Sequence, residues 1–138
     1  MADRLRLELA TPIRLVVSEE VDEVVVPGAE GSFGVLPGHA AFLALVGVGE
    51  VSYRAGRAER YLAVSGGFAE VGPGRVTILA ETAERPEEID VARARQARER
   101  AEGRLTARGG EDVDYSRALA ALARAQSRLQ VAGRPPSP

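Results

Sequence analysis

The sequence predicts an α+β protein, an N-terminal antiparallel β-sandwich or flattened barrel followed by a C-terminal antiparallel two-helix hairpin. Three observations carry that prediction. Leu5, Leu7 and Leu9 alternate with Arg4, Arg6 and Glu8, the period of two that buries one face of a strand. Turn-forming Pro and Gly residues then recur between short β-branched runs as far as Glu84. Beyond Pro86 the rhythm changes, and Ala94, Ala97, Ala101 and Leu105 follow the three-and-four spacing of one helix face. The division is residues 1–85 for the sandwich, 86–133 for the hairpin and 134–138 for a disordered Pro-rich tail.

Taken in order, Leu5–Leu9 is the first strand, and a Thr-Pro break separates it from Ile13–Val17. The charged segment Ser18-Glu19-Glu20 reads as a turn before Val21–Val26, which Pro27-Gly28 closes. In Gly31-Ser-Phe-Gly-Val-Leu-Pro-Gly-His-Ala40, Pro37-Gly38 has the fixed φ and the free φ of a type II turn. Val51–Arg54 and Arg60–Val64 flank a tight turn at Ala55-Gly56, and Phe68–Val71 and Val76–Ala80 flank Gly72-Pro-Gly74. Asp90 caps the first helix and Asp114 the second, whose seam is Ala118, Leu122, Ala125 and Leu129. The segment Thr106–Val113, with Gly109-Gly110, is short enough to make the two helices antiparallel neighbours.

Composition narrows the chemistry. The chain has 138 residues, 45% of them hydrophobic, enough for one real core. No run of about 18 apolar residues exists, and the start lacks the apolar segment of a signal peptide. Cysteine is absent, which excludes disulfide scaffolds, thiolate metal sites and cysteine nucleophiles and fits a reducing cytoplasm. All 18 basic residues are arginine, so there is no catalytic lysine. His39 is the single histidine and sits beside a turn, where a structural role is expected. The carboxylates are scattered and no nucleophile has a base at a recognisable spacing, so no catalytic or metal residue is assigned and no enzyme is expected. Phosphate-binding P-loop and dinucleotide fingerprints are absent.

Charge is divided. Residues 1–89 hold 8 Arg against 14 acids, and residues 90–138 hold 10 Arg against 6 acids, which favours docking of the second part on the first or on another acidic surface. The alanine seams are weak, because burying a methyl contributes about 0.8 kcal/mol against about 1 to 2 kcal/mol for ordering each backbone residue. Such a hairpin must dock to persist and is suited to switching. On helical wheels Arg93, Arg100 and Arg104 flank one seam and Arg117, Arg124 and Arg128 the other, so an antiparallel pair puts six guanidiniums on one face. They accommodate a phosphate chain or an acidic protein surface, or form a solvated face paired with Glu99 and Glu102.

The segments Gly31–Ala40, Val64-Ser-Gly-Gly-Phe-Ala-Glu-Val71, Val76-Thr-Ile-Leu-Ala-Glu81 and Ile89-Asp-Val-Ala-Arg-Ala94 together resemble the epsilon subunit family of bacterial F-type ATP synthase, called delta in mitochondria. The resemblance spans nearly the whole chain. It implies a non-catalytic rotor subunit whose sandwich holds the foot of the gamma subunit against the c-ring, placed peripherally on the cytoplasmic side of a bacterial plasma membrane. It also implies that the hairpin either folds down on the sandwich or extends to the beta and alpha subunits of the catalytic head, where it inhibits ATP hydrolysis. No cofactor is required, but in some relatives the folded-down hairpin binds ATP as a regulatory ligand. The residues corresponding to that site are Glu84, Ile89, Asp90, Arg93, Ala94, Arg100, Arg124 and Arg128. The alternative is a free-standing β-sandwich adaptor whose arginine-rich hairpin binds a polyanion such as RNA. The hairpin's single aromatic residue, Tyr115, disfavours base stacking, and no nucleic-acid partner is expected.

Overall fold

A computed structural model describes residues 4–106 and 114–136. Eight strands form one hydrogen-bonded sheet that folds over itself as a sandwich: β1 (Leu5–Ala10), β2 (Leu15–Val21), β3 (Glu23–Gly28), β4 (Gly31–Val35), β5 (Phe42–Leu45), β6 (Val48–Ala55), β7 (Ala58–Gly72) and β8 (Arg75–Glu84). A 3₁₀ turn at Pro86–Glu88 leads to α1 (Val91–Thr106), and α2 (Tyr115–Ala132) runs back against it. Lateral strand order is β2-β1-β8-β7-β6-β3-β4, with β5 paired to the second half of β7.

Several local expectations change. Arg60–Val64 and Phe68–Val71 are not separate strands but parts of the 15-residue β7. Gly66 and Gly67 take φ of 66° and 115°, yet pairing to β8 resumes in the same register on either side, Ser65 with Thr82 and Gly67 with Ala80. What changes there is the inward set, from Leu62 and Val64 before the glycines to Ala69 and Val71 after them. The glycines let one strand turn the corner of the sandwich and serve β6 with one half and β5 with the other. Ser18-Glu19-Glu20 lies inside β2 and is not a turn. As β2 ends the strand order, its carboxylates reach water and cations, with Glu19 3.8 Å from Arg60. β1 and β8 pair in parallel, a departure from a wholly antiparallel sheet. The short strands β4 and β5 have no counterpart in the sequence reading.

Leu5, Leu7, Leu9, Val24, Val26, Val51, Leu62, Val76 and Ile78 form the core and are almost wholly removed from solvent. The joint is pinned to that core. Arg85 donates to the Tyr53 hydroxyl (3.3 Å) and the Val16 carbonyl (3.1 Å), and burial pushes the Tyr53 phenol up, keeping it neutral beside them. Glu88 accepts from the Arg85 backbone N–H (2.9 Å) and pairs with Arg14 (2.8 Å). The Arg14 hydrogen bond holds the Glu88 carboxyl below its ordinary value, so the pin persists at neutral pH and is lost in acid as the carboxyl protonates.

Both expected helix caps form, with Asp90 accepting from the Arg93 N–H and Asp114 from the Arg117 N–H, each at 3.1 Å. Ala94 and Ala101 face Ala118 and Ala125 as buried seam residues, while Leu105, Leu122 and Leu129 are only half-buried. The connection containing Gly109-Gly110 lies outside the described residues. The hairpin is folded down, α2 carrying it onto β6 and β7. Val131, fully buried, packs there with Ala63 and Ile89.

Candidate anion-binding cleft between the hairpin and the sheet

Between the docked hairpin and the sheet lies a cleft of about 590 Å³. Its helical wall follows from spacing. Arg100 and Arg104 stand four residues apart on α1, as do Arg124 and Arg128 on α2, so each pair projects from one face. Between them Ala97, Ala101, Ala121 and Ala125 line the wall, and side chains this small leave the cleft open. The sheet wall is polar, with Ser65 and Thr82 sharing a hydroxyl hydrogen bond of 2.5 Å and Glu81 and Glu84 beside them. Arg14 enters from the β1–β2 turn.

Five guanidiniums thus meet two carboxylates. Glu84 is committed to Arg128 by a bidentate pair (2.7 and 3.1 Å), and Arg14 to Glu88. Among the described residues, Arg100, Arg104 and Arg124 have no ion-pair partner. Three like charges without ion-pair partners, against the one uncommitted carboxylate of Glu81, leave an excess of positive charge around a concave space and favour an anion with several oxygens, the geometry of a phosphate chain. Among the described residues no group of His, Cys, Asp or Glu could hold a metal ion.

The eight residues singled out from the sequence divide into two sets. Glu84, Arg100, Arg124 and Arg128 line the cleft together. Ile89, Asp90, Arg93 and Ala94 are not in its lining: Ile89 packs on Val131, Ala94 is buried in the seam, Asp90 caps α1, and Arg93 is exposed. Of the six arginines expected on one face, Arg93 and Arg117 likewise fall outside, each in the first turn of its helix. Arg14, Glu81, Ser65 and Thr82 belong to the cleft but carry no sequence signal, since they arrive through the sheet. Arg104 was legible as the next turn after Arg100. His39 is remote, its Nδ1 2.7 Å from the Ala40 carbonyl oxygen and its ring 5.1 Å from that of Phe42.

An Asp90→Ala variant separates the cap from a ligand role. Loss of the cap is expected to cost about 1 kcal/mol in the first turn of α1, read as faster amide exchange there without nucleotide.

Residues 4–86 match the family described as ATP synthase, Delta/Epsilon chain, beta-sandwich domain, and residues 87–133 match the ATP synthase, Delta/Epsilon chain, long alpha-helix domain. The chain belongs to the ATP synthase delta/epsilon family. Among curated relatives, the ATP synthase epsilon chain of Syntrophobacter fumaroxidans is 57% identical over 105 residues, covering 76% of this chain and 78% of that one. The epsilon chain of Koribacter versatilis is 52% identical over 109 residues, covering 79% and 77%. Among solved structures, a chain of the Euglena gracilis mitochondrial ATP synthase, from an assembly of OSCP, F1 and c-ring, superposes with a TM-score of 0.81 at 27% identity, covering 96% of this chain and 82% of that chain.

As a delta/epsilon chain the protein is a non-catalytic rotor subunit of the F-type ATP synthase. The alternative of a free-standing polyanion adaptor finds no support in these relatives. None of the described helices of this delta/epsilon chain is long and apolar enough to cross a membrane.

Proposed function

We propose that this delta/epsilon chain couples c-ring rotation to the catalytic head by seating its sandwich on the gamma subunit. One surface carries the reading. Leu45, Phe68, Leu79, Ala10 and Leu15 are successive register partners across β5, β7, β8, β1 and β2. The four large members are each 53–58% exposed. The parallel row Ala69, Ile78, Leu9 and Val17, one residue away on β7, β8 and β1 and two away on β2, where the register shifts, is buried in the core. The exposed row therefore lies on the outer face of these four strands and continues onto β5 at Leu45. At about 4.8 Å between strands it runs roughly 20 Å, the width of two packed helices. A contiguous apolar stripe of this kind marks a protein contact, and a helical gamma foot fits its shape.

The test is to bind the full chain to a gamma–c-ring assembly with Phe68→Asp and Leu79→Asp introduced together. Charges buried without partners should weaken binding by about 100-fold or more while the sandwich stays folded. Unchanged binding would sink the assignment.

The hairpin is the regulatory part of this reading. In the folded-down arrangement ATP lies in the cleft with its phosphates among Arg100, Arg104 and Arg124, and its binding favours that arrangement. Extended, the same arginines meet the beta and alpha subunits and restrain ATP hydrolysis. The position is peripheral, on the cytoplasmic face of a bacterial plasma membrane. The excess positive charge of the cleft and the weak alanine seam support the switch.

A further inference from the structure

Besides the Arg128–Glu84 pair, the hairpin is held to the sandwich beyond the end of α2, by a residue that sequence alone places in the tail. Gly133 closes the helix with its N–H on the Gln130 carbonyl (3.2 Å), and the Arg134 N–H returns to the Val131 carbonyl (2.9 Å). This turn brings the Arg134 side chain onto the sheet. Its guanidinium makes a bidentate pair with Glu50 on β6 (3.0 and 3.1 Å) and lies 4.7 Å from the centre of the Tyr61 ring on β7. The Glu50 side chain is only 17% exposed. Glu50 is the register partner of Ala63, so the ion pair sits beside the contact where fully buried Val131 meets Ala63 and Ile89. Arg134 also supplies positive charge past the C-terminus of a helix with no basic residue in its last turn.

We infer that Arg134, Glu50 and Tyr61 form a clasp that sets the balance between the folded-down and extended hairpin. This rests on the mobile-hairpin reading above and adds the element that controls it. The geometry favours this site for three reasons. First, the chain entering α1 is bolted to the sandwich through Arg85 and Glu88, at the same end of the hairpin as the close of α2, so opening about this joint must part α2 from β6 and β7. Second, α1 is held chiefly by α2, so the hold at the end of α2 restrains the whole hairpin. Third, a bidentate arginine–carboxylate pair stacked on an aromatic face is directional, and it is lost outright on a displacement that an apolar contact would partly survive. The clasp lies outside the cleft lining, so it acts whether or not the cleft is filled.

The absence of cysteine makes the test clean, because spin labels on introduced cysteines report two positions only. Labels at Arg57→Cys in the β6–β7 turn and Gln126→Cys on α2 are read by pulsed electron resonance in the full chain without nucleotide. A Val131→Ala background weakens the apolar contact so that both hairpin positions are populated. Glu50→Gln or Arg134→Gln should then shift the ratio toward the extended form by about tenfold, and the exchanged pair Glu50→Arg with Arg134→Glu should restore most of it. An unchanged ratio in Glu50→Gln, where the background does show an extended population, overturns the clasp and leaves hairpin mobility standing. If no extended population appears even when Val131→Asp replaces Val131→Ala as the background, the mobile-hairpin reading fails and takes the clasp with it. Neither Glu50→Gln nor Arg134→Gln touches the sandwich core, and the thermal transition checks that the fold is retained.

Discussion

Gly67→Ala is expected to remove a large share of the sandwich's stability. Gly67 has φ of 115°, and a Cβ placed on it would stand 1.9 Å from the Leu79 carbonyl oxygen and 2.9 Å from the Ala80 Cα. Both obstacles are backbone of the adjacent β8, which cannot swing aside as a side chain could. Relief requires parting β7 from β8 at the centre of the sheet. A cost of roughly 3 kcal/mol or more is expected, against a total of about 5 to 15 kcal/mol for an ordinary domain. Gly56→Ala is the informative control. Gly56 also has positive φ, 65°, but nothing lies within 4 Å of its added Cβ, so backbone conformation alone should cost about 1 kcal/mol. Urea unfolding of the two variants distinguishes them. Equal losses would mean that the strand can bend at Gly67 without a glycine, and that the close approach of β7 to β8 is not what the corner depends on.

Arg100→Ala with Arg124→Ala is expected to weaken ATP binding by about 100-fold, since each charge-assisted hydrogen bond to a phosphate contributes about 1.5 to 3 kcal/mol. These two are chosen because neither holds a carboxylate among the described residues, so their loss leaves the Arg128–Glu84 tether in place. Calorimetric titration of the full chain measures the affinity. Thermal unfolding at saturating ATP should show a rise in Tm for the parent chain that the double variant lacks. Arg95→Ala with Arg117→Ala changes net charge equally from positions outside the cleft lining and should alter affinity little. Unchanged affinity in Arg100→Ala with Arg124→Ala, or no heat at millimolar ATP, would reduce the cleft to a contact surface for the catalytic head.

These two outcomes bear on different levels of what the residues encode. The corner at Gly66-Gly67 looks in sequence like a turn between two strands. A Gly-Gly pair is compatible with either, and only the pairing of β7 with β8 on both sides decides it. β5 escaped notice because half of Phe42–Leu45 faces outward as Leu43 and Leu45, erasing the alternation that marks a half-buried strand. The mid-strand carboxylates of β2 resemble a turn until its place at the edge of the sheet is known. Arg134 lies in a Gly- and Pro-rich stretch that suggests a loose tail, and its partner is 84 residues away in sequence.

Local chemistry determined the sandwich-then-hairpin order, the helix seams, both caps and the four-residue spacing of the cleft arginines. Each depends on residues within a few positions of one another, where backbone geometry alone relates sequence to space. The tertiary structure decided the parallel pairing of β1 with β8, the apolar row assembled from five strands, and the division of the predicted site into residues that line the cleft and residues that do not. It also decided which arginines find carboxylates. Glu84 and Glu50 take Arg128 and Arg134, while Arg100, Arg104 and Arg124 are left facing open space. Those outcomes depend on which distant surfaces meet when the hairpin docks, and no local periodicity records that.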